Sequence, residues 1–165
     1  MNFLTIKKLH PNDVSLEYYS WFSQKVVSDN ISWKPSHNQL EGIRQLKNYV
    51  ENCLNAEDIV LLGIFCDDIH IGNLKYGDIS VELSACTVGI MIGNPSFRGR
   101  GIAAESLALG NKYMNQNHNV TAFELRVFSW NQTAISAYKK AGFNVVNNGL
   151  IAPFHPEGTI MRFEY

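Results

Sequence analysis

The feature that most constrains the fold is a glycine-rich turn with two arginines, FRGRGIAAES (Phe97–Ser106). The apolar run before it, ELSACTVGIMIG (Glu82–Gly93), predicts a strand. The run after it, IAAESLALGNKYM (Ile102–Met114), predicts a helix. The chain therefore passes from strand to helix through a segment that combines glycines, which have no side chain, with two positively charged arginines.

A turn of this composition favours anion binding. The first N–H groups of a helix have no partner inside the helix, and the helix dipole adds partial positive charge there. Gly99 and Gly101 let a ligand approach the main chain, and Arg98 and Arg100 add charge. We predict that this turn binds a pyrophosphate.

The rest of the sequence predicts one mixed α/β (α+β) domain in the order β α α β β β α β α β β, and the length of 165 residues agrees with a single domain over residues 1–165. The other predicted strands are Phe3–Leu9, Ile59–Cys66, Ile69–Gly77, Asn119–Phe128, Asn144–Val146 and Thr159–Tyr165. The other predicted helices are Asp13–Ser23, Gln39–Cys53 and Gln132–Ala141.

Composition narrows the class of protein. The net charge of −1 disfavours a nucleic-acid partner, which usually requires a basic excess. Three widely spaced cysteines do not form a disulfide framework. The sequence shows no signal peptide and no apolar run long enough to span a membrane. These features predict a reduced, soluble, cytoplasmic protein with no membrane partner.

Alternative interpretations of the glycine turn can be weighed. The P-loop pattern GxxxxGK[ST] does not occur. A dinucleotide fingerprint can be placed on Gly99, Gly101 and Ala104, with Glu124 20 residues after Ala104. However, Glu124 is in the middle of a predicted strand, and too little chain follows for a doubly wound sheet. A turn with solvated arginines and no ligand is the remaining alternative.

A second motif, NQTAISAYKKAGF (Asn131–Phe143), narrows the choice. Asn131 and Tyr138 are seven residues apart, which places them on one helix face about 10 Å apart along the axis. The small Ala134 lies between them. Such a helix can bind an extended ligand between an amide and a phenol, although a helix cap and a core tyrosine would have the same spacing.

With both motifs in place, the chain resembles the GNAT superfamily of acyl-CoA-dependent N-acetyltransferases. Arg98, Gly101 and Ala103 match the signature Arg/Gln-x-x-Gly-x-Gly/Ala. The later motif is matched by Asn131, Ala134, Tyr138, Gly142 and Phe143. The resemblance implies a mostly antiparallel sheet of about six or seven strands with about four helices, and an N-acetyltransferase that uses acetyl-CoA as co-substrate and no metal.

The resemblance also implies a site. Backbone groups of Met91, Ile92 and Gly93 would bind the pantetheine arm, and Asn131 would contact it. Arg98 and the amides of the turn would take the pyrophosphate. These amides belong to Gly99, Arg100, Gly101, Ile102, Ala103 and Ala104. Tyr138 would lie near the thioester sulfur and protonate the leaving thiolate.

The general base is less defined. Many relatives carry a glutamate where this chain has Thr87, and threonine cannot serve as a base. Glu82 is the preferred catalytic candidate and Glu124 the next. Three histidines, His37, His70 and His155, and a water relay without a dedicated base stay as alternatives.

The front segment, LEYYSWFSQKVVSDNISW, resembles the Rim-type branch, which acts on ribosomal-protein N-termini and on amino sugars. The expected acceptor is a small-molecule amine such as a nucleotide-linked amino sugar, with a peptide N-terminus as an alternative. A non-catalytic acyl-CoA-binding module is the alternative of another class. The sequence does not decide the oligomeric state, which could be a monomer or a homodimer. Trp21 is expected in the core, and Trp33 is assigned to neither core nor pocket.

Overall fold

The computed structural model describes residues 3–31, 33–152 and 157–165. Within these residues seven strands form one sheet in the order β1-β2-β3-β4-β5-β7-β6. All neighbouring strands are antiparallel except β4 and β5, which are parallel. The strands are β1 Leu4–Lys8, β2 Val60–Cys66, β3 Ile69–Ser80, β4 Ala85–Ile92, β5 Ala122–Phe128, β6 Asn144–Val146 and β7 Gly158–Glu164.

The helices cover the two faces of the sheet. The described residues form α1 Leu16–Trp21, α2 Lys25–Ser28, α3 Gln39–Asn55, α4 Ile102–His118 and α5 Gln132–Lys140. Alternation along the strands sends apolar side chains to both faces. One face packs on Leu107 of α4 and Ile135 of α5, and the other packs on Trp21 of α1 and Leu46 of α3. This architecture confirms the predicted mixed, mostly antiparallel fold.

Several predicted boundaries differ. The helix predicted over Asp13–Ser23 is shortened to Leu16–Trp21, because Pro11–Asp13 forms a 3₁₀ turn and the Ser15 hydroxyl caps α1 by accepting from the Tyr18 amide at 3.1 Å. The strand predicted over Glu82–Gly93 begins three residues later, at Ala85. The reason is the turn before it, which ends at Ser84 with a positive φ of 48°.

The parallel pair β4 and β5 separates along its length. The two strands pair at Ala85–Ala122, Cys86–Phe123 and Thr87–Glu124 and nowhere further among the described residues. Beyond Thr87, β4 pairs with β3 alone and β5 with β7 alone. Strands direct main-chain groups to both sides, so backbone of β4 on the β5 side has no strand partner there.

Candidate active site

A cavity of about 470 Å³ lies where β4 and β5 separate. Thr87 and Gly89 line it from β4, and Leu125 and Arg126 line it from β5. A second cavity of about 350 Å³ shares Gly89 and Lys75 with the first. We refer to these two cavities together as the central cleft. A third cavity, of about 440 Å³, shares Arg126 with the first and reaches Asn131.

The aromatic wall of the central cleft comes from α3 and from the loop that precedes it. Trp33 and Tyr49 stack with ring centroids 5.4 Å apart and 16° between their planes. Trp33 is 43% exposed, so one side of the pair is open to a ligand. Trp21 is only 1% exposed and belongs to the core, as expected.

The glycine turn has the geometry that an anion site requires. Gly99 and Gly101 have φ values of +73° and +80°, and a Cβ added at either position would meet no heavy atom within 4 Å. Gly101 is the N-cap of the 17-residue helix α4, and no side chain caps that end. No described residue accepts a hydrogen bond from the amides of Ile102 and Ala103, so these two donors are available for an anion such as the pyrophosphate of a CoA thioester.

Arg98 is bound to the chain itself. Its Nε donates to the Ile92 carbonyl oxygen at 2.8 Å, and its Nη2 donates to the Gly93 oxygen at 2.7 Å and to Gln24. The arginine thus fastens the glycine turn to the end of β4. By contrast, Arg100 is exposed, with its guanidinium 5.9 Å from the Phe97 ring centre. Of the two arginines, Arg100 is the one whose charge faces solvent.

The strand-end residues Met91, Ile92 and Gly93 lie beyond the point of separation. Met91 pairs with Asn73 and Ile92 with Gly72 on β3, and the Gly93 amide donates to the Ile71 oxygen at 2.9 Å. All of these partners are on the β3 side. The β5 side of this segment is where an extended ligand could add main-chain hydrogen bonds.

Helix α5 begins at Gln132, as predicted, and Asn131 is its N-cap. The Asn131 side chain accepts from the Ala134 amide at 3.1 Å and also lines the third cavity. Tyr138 is half-buried, packs against Phe143 and has no hydrogen bond from its hydroxyl to any described residue. Burial raises the pKa of this phenol, which keeps it protonated and able to donate.

Glu82 lies in the exposed turn that precedes β4. Met91 lies at the other end of that strand. Between this turn and the point where β4 and β5 separate, β4 is paired with β5 as far as Thr87. The length of β4 therefore separates Glu82 from the glycine turn, which follows the far end of that strand.

Glu124, the second candidate for the general base, is a buried structural carboxylate. It is fully buried, accepts from the amides of Leu150, Ile151 and Ala152 at 2.8–2.9 Å, and pairs with Arg162 at 2.7 Å. Burial alone would raise its pKa, but these four partners hold the pKa below its usual value. A carboxylate with this many donors is a poor proton acceptor.

The histidines are dispersed. His37 is exposed in a loop. His70 packs between Phe65 and Trp21, with ring centroids 4.9 Å away in each case, and burial lowers its pKa. His155 lies outside the described residues.

Sequence reasoning missed Asp78. The Thr87 hydroxyl donates to the Asp78 carboxylate at 2.9 Å, and both residues line the first cavity. The strand predicted over Ile69–Gly77 stops one residue before Asp78, and the local sequence KYGDIS gives no signal that this side chain lines a cavity.

Comparisons with known proteins agree with this geometry. The chain matches the family described as "Acetyltransferase (GNAT) domain" over residues 4–144. A search against curated protein sequences gave no significant match. The Rim-type branch stays a prediction.

Solved structures share the fold at low sequence identity. The aminoglycoside acetyltransferase AAC(6')-Ib in complex with coenzyme A has a TM-score of 0.75 and 16% identity, over 98% of this chain and 95% of that chain. The dodecameric spermidine N-acetyltransferase from Vibrio cholerae has a TM-score of 0.74 and 17% identity, over 98% of this chain and 93% of that chain.

Two further observations concern what the described residues contain. None of their helices is long and apolar enough to cross a membrane. They also hold no group of three His, Cys, Asp or Glu side chains placed to bind a metal ion.

Proposed function

Because the chain belongs to the acetyltransferase (GNAT) family and is an acetyl-CoA-dependent N-acetyltransferase, we propose that its acceptor is a small amine that also carries an anionic group, such as a nucleotide-linked amino sugar. The observation that carries this proposal is the charge of the central cleft. Lys75 and Arg126 line it, and Asp78 is its one acidic lining residue among the residues described. A polycation would meet two like charges there.

The aromatic wall supports a cyclic acceptor. The Trp33–Tyr49 stack offers a flat apolar surface beside Lys75, whose Nζ lies 5.3 Å from the Tyr49 ring centre. A sugar or base ring could pack on the tryptophan while its phosphate pairs with the lysine. The structural neighbours include enzymes for aminoglycosides and spermidine, which are cationic acceptors. We expect this chain to differ from them.

The proposed roles of the site residues follow from their positions. The amides of the glycine turn, from Gly99 to Ala104, would bind the pyrophosphate, and Arg100 would add charge. The backbone of Met91 to Gly93 and the Asn131 side chain would bind the pantetheine arm. Arg98 would hold the turn against the strand end. Acetyl-CoA, when bound, supplies an activated acyl group whose leaving thiolate is stabilised by protonation. Tyr138 would donate that proton.

The test is thiol release from acetyl-CoA across peptides, polyamines, aminoglycosides and nucleotide-linked amino sugars. We expect turnover on the amino-sugar nucleotides. Lys75→Gln should raise KM for them about fivefold, and should leave KM for an uncharged amino sugar unchanged, because one exposed ion pair contributes up to about 1 kcal/mol. Selective turnover of a polyamine or a peptide N-terminus would contradict the proposed acceptor.

One observation favours a second candidate function. Residue 87, where the family resemblance implies a glutamate base, is a threonine, which cannot serve as a base, so a non-catalytic acyl-CoA-binding module is the alternative. Tight CoA binding without turnover of any amine in the panel would support this alternative.

A further inference from the structure

Asp78 is held at the point where β4 and β5 separate. Its Oδ2 accepts from the Thr87 hydroxyl at 2.9 Å, and the same hydroxyl lies 3.1 Å from the Gly77 carbonyl oxygen. Thr87 is the last residue of β4 that pairs with β5. The carboxylate is therefore fixed beside the gap into which an acyl group and its acceptor would have to fit.

A β-bulge directs Asp78 out of the strand ladder. The register runs from Gly77–Thr87 directly to Ser80–Ala85, so Asp78 has no partner residue on β4. Its φ of +50° is in the left-handed region, which aspartate adopts more readily than most residues. Bulges redirect side chains in this way and are frequent next to active sites. Here the redirected side chain is exposed and lines the first cavity.

The charged neighbours of Asp78 leave its carboxylate available to bind an acceptor. Lys75 and Arg126 line the same cavity, but neither forms an ion pair with Asp78 within the described part of the chain. The other acidic candidates are differently placed, since Glu124 is occupied by four donors and Glu82 lies in the turn before β4.

We infer that Asp78 is the catalytic residue that receives the ammonium group of the acceptor and takes its proton, and that Thr87 orients the carboxylate for this task. This inference rests on the proposed function, and it places the base on β3 rather than on β4. Thr87 acts as a hydrogen-bond donor, which is a role that threonine can perform.

The reaction balances in protons and electrons. Asp78 removes one proton from the ammonium and frees the nitrogen lone pair. The nitrogen then forms a bond to the acetyl carbonyl carbon, and the carbon–sulfur bond breaks with its electron pair leaving on sulfur. Tyr138 gives its proton to the sulfur to form the free thiol, and the second amine proton, lost from the nitrogen, restores the Tyr138 hydroxyl by way of water. The proton on Asp78 passes to water, so one proton is released per amide formed.

The decisive variant is Asp78→Asn. Asparagine also adopts left-handed φ values, and its amide oxygen can still accept from Thr87, so the bulge should persist. The matched control is Asp68→Asn, an exposed aspartate with φ of +64° in the turn between β2 and β3. The acceptor is the best amine from the panel, and CoA binding is measured by calorimetry as a readout independent of turnover.

We expect Asp78→Asn to lower kcat/KM about 10²-fold, since general-base catalysis contributes 10²–10⁴-fold. Its CoA affinity and melting temperature should match those of wild type and Asp68→Asn. The deficit should shrink for an acceptor analogue whose amine has a low pKa, because that amine is already neutral. Thr87→Val should lower kcat/KM by about tenfold, because it removes orientation but leaves the carboxylate.

Each contrary result has its own meaning. Full activity of Asp78→Asn overturns the assignment, and loss of activity in Glu82→Gln alongside it would move the base to Glu82. A deficit that is equal for amines of low and high pKa, or that comes with loss of CoA binding, would show a structural role instead. Failure of the wild type to turn over any amine would overturn the proposed function as well.

Discussion

The Nε of Arg98 donates to the main-chain oxygen of Ile92 at 2.8 Å and so ties the glycine turn to the end of β4. Two parts of the proposed acetyl-CoA site, the turn and the strand end, are held in one arrangement by a single side chain. The signature arginine therefore acts by position, while the exposed Arg100 is free to act by charge.

The two arginines should respond differently to substitution. Arg98→Gln loses donors to Ile92 and Gly93, so it should lower the melting temperature and weaken CoA binding about tenfold at any salt concentration. Arg100→Gln should leave the melting temperature unchanged and weaken CoA binding mainly at low salt, because exposed charges are screened. Calorimetric titration with CoA at two ionic strengths separates the two effects. Equal salt dependence in both variants would contradict the division of roles.

The left-handed conformation of Gly101 should be needed for CoA binding. At a φ of +80°, an L-residue costs about 1–2 kcal/mol, so Gly101→Ala should weaken CoA binding by about tenfold or lower the melting temperature. Gly101→Asn is the matched variant, since asparagine adopts this region more easily and should lose less. The ranking Gly, Asn, Ala in CoA affinity is the expected result. Alanine performing as well as glycine would show that the turn tolerates another conformation.

Local signals made much of this fold predictable. The start of α4 at Ile102, the Asn131 cap of α5 and the positive φ of Gly142 after it agree with the sequence, because caps and glycine turns depend on neighbouring residues. The pairing of Arg98 with the end of β4 was not predictable, since it depends on where β4 ends in space.

Two carboxylates show why the site was harder to predict than the fold. Period-2 alternation places Glu124 on one face of β5 but does not reveal that residues 150–152 cover that face and donate three amides. Asp78 lies in a bulge of β3, one residue beyond the strand predicted over Ile69–Gly77, and no local pattern marks it. In both cases long-range contacts decide what the carboxylate does.

Glu124 should contribute to stability rather than to catalysis. Glu124→Gln leaves Arg162 without its buried charge partner, and breaking a buried pair costs about 3 kcal/mol. The native pKa of Glu124 is below its unfolded value, so its stabilisation is complete above the unfolded pKa of about 4.3 and is lost as pH falls through the native pKa. The gap in unfolding free energy between wild type and Glu124→Gln should thus be constant near neutral pH and narrow in acid.

The control for this prediction is Glu164→Gln. Glu164 contacts the same arginine at 3.3 Å but is 60% exposed, so its removal should change the unfolding free energy by less than about 1 kcal/mol. Urea unfolding at several pH values measures both variants. A similar loss of unfolding free energy in the two variants would mean that the burial of Glu124 does not add to stability.

Tyr138 should act on the chemical step and leave binding unaffected. Tyr138→Phe keeps the ring packed against Phe143 and removes only the hydroxyl. Without this proton donor, the thiolate must leave unprotonated, so kcat should fall at least about tenfold while the CoA dissociation constant stays the same. Since burial raises the pKa of this phenol, ionisation of Tyr138 should not limit activity in neutral or mildly alkaline buffer.

Tyr113→Phe provides the matched control, because it removes a hydroxyl from a half-buried tyrosine of α4 that takes no part in the proposed chemistry. Thiol-release kinetics and CoA calorimetry on both variants give the comparison. A fall in CoA affinity of Tyr138→Phe that equals its fall in kcat/KM would assign the phenol to binding. In that case a water molecule would have to protonate the leaving sulfur.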